Sequence, residues 1–241
     1  MQNRSETAIR FADVSKQYGS LAALRDLQLE VPARTIFGLV GANGAGKTTL
    51  IKCLLDFCSF DKGEIEIFGE PSTHTAARGR LAFLPERFVP PYFLTGEDFL
   101  RLMMQMYGRG FDTDQTAATL QALDLAGEAL AKPVRAFSKG MTQKLGLAAC
   151  LMSGRDLLVL DEPTSGLDPK ARALLKKHLR QLQSQARTVF LTSHTLADVE
   201  ELCDQMAVLH EGEVRYVGPP SALKDRYGAS TLESAYLECI A

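Results

Sequence analysis

The stretch Gly41-Ala42-Asn43-Gly44-Ala45-Gly46-Lys47-Thr48 limits what this chain can fold into more than any other. It follows the apolar run 36–40, which reads as a buried strand, and precedes residues 49–57, whose apolar positions suit a helix packed on a sheet. A strand, a glycine-rich loop and a helix are what phosphate binding requires. Glycines remove the side chains that would block close approach, so successive backbone N–H groups can point at an anion, and the helix start adds partial positive charge. Lys47 then reaches the β and γ phosphates and Thr48 offers its hydroxyl to magnesium.

At 241 residues the chain can bury the core of one large α/β domain carrying an inserted subdomain. A formal net charge of −2, with 23% charged residues, gives no global basic excess, so no nucleic-acid partner is expected. Residues 1–8 are polar and lack the apolar run of a signal peptide, and no stretch approaches the roughly 20 apolar residues of a membrane span. A cytoplasmic protein is the expectation. The five cysteines, at 53, 58, 150, 203 and 239, form no C-x-x-C pair and sit largely in apolar segments. They read as buried thiols without chemistry.

Residues 9–14 and 27–31 alternate as strands. Tyr18 between them is either a core aromatic or a platform for a base. Residues 64–68 form another short strand, and 81–84 a buried one ending at Pro85-Glu86. A carboxylate at a strand's end either faces a ligand or sits solvated in a loop. The apolar, proline-bearing stretch 88–94 has to be covered by this fold or by a partner. Helices follow over 96–107, capped by Thr95 with Asp98, and over 114–125, capped by Asp112 or Asp114. A third spans 141–152, opened by Ser138, which with Gly140 is either a plain cap or a second anion site.

The apolar run 157–160 is a buried strand that ends in Asp161-Glu162, so both acids emerge where α/β sheets keep their ligands. One carboxylate can orient magnesium, and the next can accept a proton from an attacking water. Asp168 caps a helix that starts at Pro169 and runs to Ser184. Strand 188–192 ends at Ser193-His194, which brings an imidazole to the same edge. A hairpin over 206–210 and 214–218, a short helix to about residue 226 and a weakly amphipathic 230–240 complete the chain.

In their order and spacing these motifs resemble the nucleotide-binding subunit of ABC transporters. The similarity runs over essentially the whole chain, and Ser138 to Gln143 is its family-specific part. The resemblance implies an α/β P-loop NTPase of RecA-like core, with an antiparallel β edge and an inserted α-helical subdomain. As one ABC ATP-binding domain over 1–241, residues 1–86 and 155–227 form the ATP-binding core, 87–154 the helical subdomain and 228–241 a tail. ATP and Mg2+ are the implied ligands. Tyr18 would stack on adenine. Gly41, Asn43, Gly44, Ala45, Gly46, Lys47, Thr48 and Thr49 would hold the phosphates and the metal, and Asp161 and Glu86 would support magnesium. Glu162 would be the general base, His194 would sense the γ-phosphate, and Lys47 would count with them as catalytic. Ser138, Gly140 and Asp168 would serve the ATP of a second subunit, a homodimer mate or a paralogue. Lys139 and Met141 stand where the family's usual signature has glycine and glutamine, and Glu86 where many members have glutamine. These variants are similar to single-domain ATPases that pair with a separate integral-membrane permease, commonly for export, on the cytoplasmic face of the membrane. The competing readings are a soluble ABC ATPase acting on nucleic acid or ribosomes and a non-catalytic regulatory subunit. One cassette without heptads or zinc spacing disfavours the former, and the intact Lys47, Asp161, Glu162 and His194 disfavour the latter.

Overall fold

A computed structural model describes residues 7–241; most of the N-terminal stretch read above lies outside the described residues. Two sheets organise the chain. Strands β1 (Thr7–Tyr18), β2 (Leu21–Pro32), β4 (Lys62–Ile67) and β5 (Glu70–Pro71) form an antiparallel sheet in the order β2-β1-β4-β5. The second sheet contains β3 (Ile36–Val40), β6 (Leu81–Leu84), β7 (Leu157–Leu160), β8 (Thr188–Ser193), β9 (Gln205–His210) and β10 (Glu213–Gly218). Its order is β10-β9-β3-β8-β7-β6, parallel throughout except for the β9–β10 hairpin.

The parallel strands read as unbroken apolar runs because both of their faces are covered. Alternation divides them between two cores. Phe37, Leu39, Leu157, Val159 and Phe190 point to one side, where they meet Phe11, Leu29 and Ile67 of the antiparallel sheet and Leu50, Ile51 and Leu54 of α1 (Lys47–Leu54). Ile36, Val40, Leu158, Leu160, Val189 and Leu191 point to the other side, onto helices. Those helices include α5 (Lys139–Met152), α6 (Pro169–Ser184) and α7 (Leu196–Leu202), with α8 (Pro220–Tyr227) and α9 (Leu232–Ile240) at the carboxyl end. A single turn, α2 (Thr75–Arg78), precedes β6.

Between β6 and β7 the described residues are helical or irregular. Here α3 (Gly96–Met106) and α4 (Thr113–Ala122) lead through two short 3-10 turns, Gly127–Ala131 and Val134–Ala136, into α5. Thr95 and Asp98 cap α3 reciprocally, and Asp112 accepts from two amides at the start of α4. Gly146 lets α5 cross close to the end of β6, since a Cβ there would lie 2.7 Å from a Leu84 methyl and 2.8 Å from the Phe88 ring.

Several expectations shift. The first two strands are 12 residues each, and the phosphate-loop helix starts at Lys47 rather than at residue 49. Helix α5 begins at Lys139, and α2, α7 and both 3-10 turns have no counterpart in the sequence reading. The apolar stretch 88–94 is divided: Phe88 packs edge-on against Phe99 at 5.6 Å, whereas Val89, Tyr92 and Phe93 are 86%, 67% and 70% exposed. Nor are all the thiols buried, for Cys58 and Cys239 are half-exposed while Cys53, Cys150 and Cys203 are buried.

Candidate functional site

Strands β3, β6, β7 and β8 end side by side at the carboxyl edge of the parallel sheet, and an open cleft of about 510 Å³ lies above them. Each strand end delivers one part. From β3 comes the phosphate loop, with Gly44 at φ 84° and Gly46 at φ 111°, conformations open to glycine without strain. Gly46 stands where α1 begins, and no side chain among the described residues caps that helix, which leaves its first amides available at the cleft. Lys47 folds back, donating to the carbonyls of Gly41 at 2.6 Å and Ala42 at 3.2 Å. Burial holds its ammonium pKa below the usual lysine range, against the opposing charges of Glu162, Asp161 and Glu86.

From β7 come the two acids. The pairing of Leu160 with Leu191 brings Asp161 level with Thr192 of β8, and the Thr192 hydroxyl donates to Asp161 Oδ1 at 2.6 Å. The same hydroxyl accepts the Glu162 amide at 2.9 Å, so one buried side chain orients both acidic residues. Glu162 has φ 51°, a sparsely populated conformation for a residue with a Cβ. Its Oε2 is buried, lies 2.8 Å from His194 Nδ1 and makes no well-aligned hydrogen bond. His194, at the end of β8, is itself largely exposed to the cleft. Burial raises the Asp161 carboxyl pKa above the usual carboxylate range, helped by the Glu86 charge and opposed by the Thr192 hydrogen bond and by Lys47.

The cleft thus brings together Tyr18, Asn43, Gly44, Gly46, Lys47, Thr48, Thr49, Glu86, Asp161, Glu162 and His194. Tyr18 is 47% exposed at its rim, so it is not a core aromatic. Gly41 and Ala45 lie beneath the loop rather than on the wall; a Cβ on Gly41 would sit 2.3 Å from the Leu209 carbonyl. Ser138, Gly140 and Asp168 are not in the cleft. They form a separate patch, where a Cβ on Gly140 would be 3.0 Å from the Gly166 carbonyl. Beside it Lys144 donates to the Asp124 carbonyl at 2.8 Å and pairs with Asp168 at 3.6 Å. Ser138 caps α5 through the Met141 amide, and Asp168 caps α6 through the Ala171 amide.

Sequence reasoning missed the wall formed by Leu21, Ala22, Ala23 and Arg25 of β2, the hairpin residue Glu211, and Thr192 beneath the acids. Arg25 and Glu211 carried no motif. A hydroxyl one residue before Ser193-His194 was the only available sign of Thr192.

The sequence profile described as ABC transporter matches residues 24–165, more than half of the chain. The chain belongs to this family. Nod factor export ATP-binding protein I of Burkholderia lata is 37% identical over 235 residues, covering 93% of this chain and 75% of the relative. The protein of the same name in Paraburkholderia xenovorans is 38% identical over 227 residues, covering 90% and 73%. A solved ATP-binding subunit of an ABC transporter matches with a TM-score of 0.88 at 29% identity, covering 97% of this chain and 99% of its own. A dimeric ATP-binding cassette in a post-hydrolysis state with ADP and Pi shares the fold, with a TM-score of 0.79 at 18% identity over 88% and 98% of the two chains. This ABC subunit is therefore an ATP-binding component of a transporter and an ATPase with the P-loop fold. No helix among its described residues is long and apolar enough to cross a membrane.

A carboxyl whose pKa rises on folding holds its proton more tightly in the native state than in the unfolded chain. Its ionisation therefore costs stability at neutral pH, and the cost disappears as pH falls below the ordinary Asp range. Asp161→Asn in the ABC subunit should accordingly raise the melting temperature of the nucleotide-free protein at pH 7, by an amount that shrinks as pH drops toward about 4. A lower melting temperature at pH 7 would mean that the charged carboxylate stabilises the fold.

Proposed function

We propose that this ABC subunit hydrolyses magnesium-bound ATP in a head-to-tail pair and drives a separate integral-membrane permease, in the direction of export. One observation carries the reading: the chain presents two half-sites with no shared lining, the cleft and the patch of Ser138, Gly140 and Asp168. The cleft is open to solvent, and a serine-glycine helix start offers amides and a hydroxyl to a phosphate held there by a second copy. The second surface is supplied by another copy or by a paralogue.

Within the pair each residue has a part. Tyr18 stacks on the adenine ring, with Leu21, Ala22 and Ala23 forming the wall beside it. The amides of residues 43–49 and the Lys47 ammonium hold the phosphates; to do so Lys47 leaves the Gly41 and Ala42 carbonyls. Thr48, Asp161 and Glu86 are the side chains that would hold magnesium, which supplies neutralising charge to the phosphate oxygens. They fit that part because all three offer oxygen donors to the cleft, the ligand type that magnesium takes. Glu162, a wall residue of the cleft, takes the proton from the attacking water through its carboxylate. His194 holds that carboxylate from one side and faces the γ-phosphate position from the other. The Burkholderia and Paraburkholderia relatives, named for export, support the direction, and the Nod factor in their names is said of those relatives alone. Such a subunit works at the cytoplasmic face of the membrane, with the exposed Val89, Tyr92 and Phe93 receiving a cytoplasmic helix of the permease.

Glu162→Gln should reduce turnover by about a hundredfold or more while ATP still shifts the protein to a dimer in gel filtration. Near-normal hydrolysis by this variant would remove Glu162 as the base. Replacing Tyr92 and Phe93 by alanine should leave basal hydrolysis near wild type and weaken co-purification with the permease by about tenfold. Unchanged co-purification would exclude this loop as the contact.

A further inference from the structure

Cys53 lies in the last turn of α1, the helix that begins at the phosphate loop, and Cys58 lies just beyond its end. Between them Asp56 turns the chain back with φ 58°, and the amides of Phe57 and Cys58 both donate to the Lys52 carbonyl, at 2.8 and 3.4 Å. The fold thereby brings the two sulfurs to 3.6 Å, although the sequence spacing matches no redox motif. Cys53 is buried and Cys58 is half-exposed, so a small oxidant reaches one sulfur and finds the second immediately behind it. Cys58 also touches a residue of the cleft wall: the Tyr18 hydroxyl lies 3.5 Å from its Sγ, and the Lys16 ammonium sits 5.2 Å from the centre of the Tyr18 ring.

We propose that Cys53 and Cys58 form a dithiol site for a peroxide-class oxidant, and that its closure to a disulfide detaches Tyr18 from its support and weakens nucleotide binding. The Cys58 thiolate attacks one peroxide oxygen; the O–O bond breaks, a hydroxide leaves and is protonated to water, and Cys58 becomes a sulfenic acid. The Cys53 sulfur then attacks the Cys58 sulfur, the S–O bond breaks, and a second water leaves with the Cys53 proton. Two thiols and one peroxide thus yield one disulfide and two waters, with one electron withdrawn from each sulfur. Burial pushes the Cys53 thiol up to about 12, so Cys53 keeps its proton until it surrenders it in the second step, and the half-exposed Cys58 is the sulfur that meets the oxidant first.

Bond formation requires the sulfurs to approach from 3.6 Å to about 2.05 Å. Because Cys53 is fixed in the core as part of α1, the movement falls mainly on Cys58, whose sulfur then draws away from the Tyr18 hydroxyl. A disulfide Sγ is also a poorer partner for that hydroxyl than a thiol. Small-molecule thiols reverse the bond, so in a reducing compartment the site reports a transient oxidant and returns to the dithiol. The effect on nucleotide binding rests on the reading of Tyr18 as the adenine platform; formation of the disulfide does not.

The test uses the full chain exposed to hydrogen peroxide and then alkylated, with peptide mass mapping and ATP affinity measured before and after dithiothreitol. The expected result is a peptide joining Cys53 to Cys58, lighter by two hydrogen atoms, together with ATP affinity lowered by about tenfold and restored by reduction. Cys53→Ala, which leaves the Cys58 contact with Tyr18 in place, should bind ATP like the reduced wild type and lose the response to peroxide, and Cys58→Ser should likewise give no 53–58 peptide. Absence of the 53–58 peptide, or its presence with unchanged affinity while Tyr18→Ala weakens ATP, overturns the proposal. If Tyr18→Ala itself leaves affinity unchanged, the platform reading fails and the link to nucleotide binding fails with it, whereas the mapped disulfide stands on its own.

Discussion

Backbone amides can hold a triphosphate only while the loop that carries them is held still, and in this chain the restraint is made of backbone. The Gly212 amide donates to the Ala45 carbonyl at 3.0 Å, and the Gly212 carbonyl accepts the Arg25 amide at 3.0 Å. Gly46 lies so near β2 that a Cβ on it would stand 2.6 Å from the Ala23 carbonyl. The antiparallel sheet and the β9–β10 hairpin therefore clamp the loop from two sides. Because β3 is held between β8 and β9, the clamp also fixes where the ends of β7 and β8 deliver their acids and imidazole. The peripheral strands make the central loop rigid, and rigidity lets its dipoles act on charge without reorganising.

The electrostatics of the cleft oppose its own stability. Glu86, Asp161 and Glu162 gather around one lysine whose charge is disfavoured by burial, and the same burial raises the pKa of the Asp161 carboxyl. Thr192 sustains the arrangement by meeting Asp161 and the Glu162 amide through one hydroxyl. Such a set of carboxylates makes sense when the ligand brings its own cations, because each negative group gains its partner only on binding.

Much of this was legible in the sequence because the decisive groups sit in short contiguous strings. The glycine loop, Asp161-Glu162, Ser193-His194 and Ser138 to Gly140 each announce themselves through neighbours that specify a strand end or a helix start. What stayed hidden depends on register between distant segments. The role of Thr192 follows from the parallel pairing of β7 with β8, and the wall from Leu21 to Arg25 follows from a strand whose pattern is broken by bulges. Positive φ at Asp13 and Asp26 interrupts the alternation of β1 and β2, which is why both strands read as half their true length. Helix α7 has seven residues, too few to show a period, and the approach of Cys53 to Cys58 depends on a left-handed turn at Asp56 that composition does not signal. Exposure of Val89, Tyr92 and Phe93 was equally invisible, since apolar character alone does not distinguish a face covered by the fold from one left for a partner.

The central claim is that each cleft is half of a site. It is tested most directly by mixing two variants that are inactive alone, Lys47→Ala and Ser138→Ala, and measuring ATP hydrolysis by the mixture. A pair formed from one of each has one site bearing both defects and one bearing neither, so the account predicts activity in the mixture that neither variant shows alone. Activity in the mixture equal to the sum of the separate variants, or full activity of Ser138→Ala by itself, would contradict it.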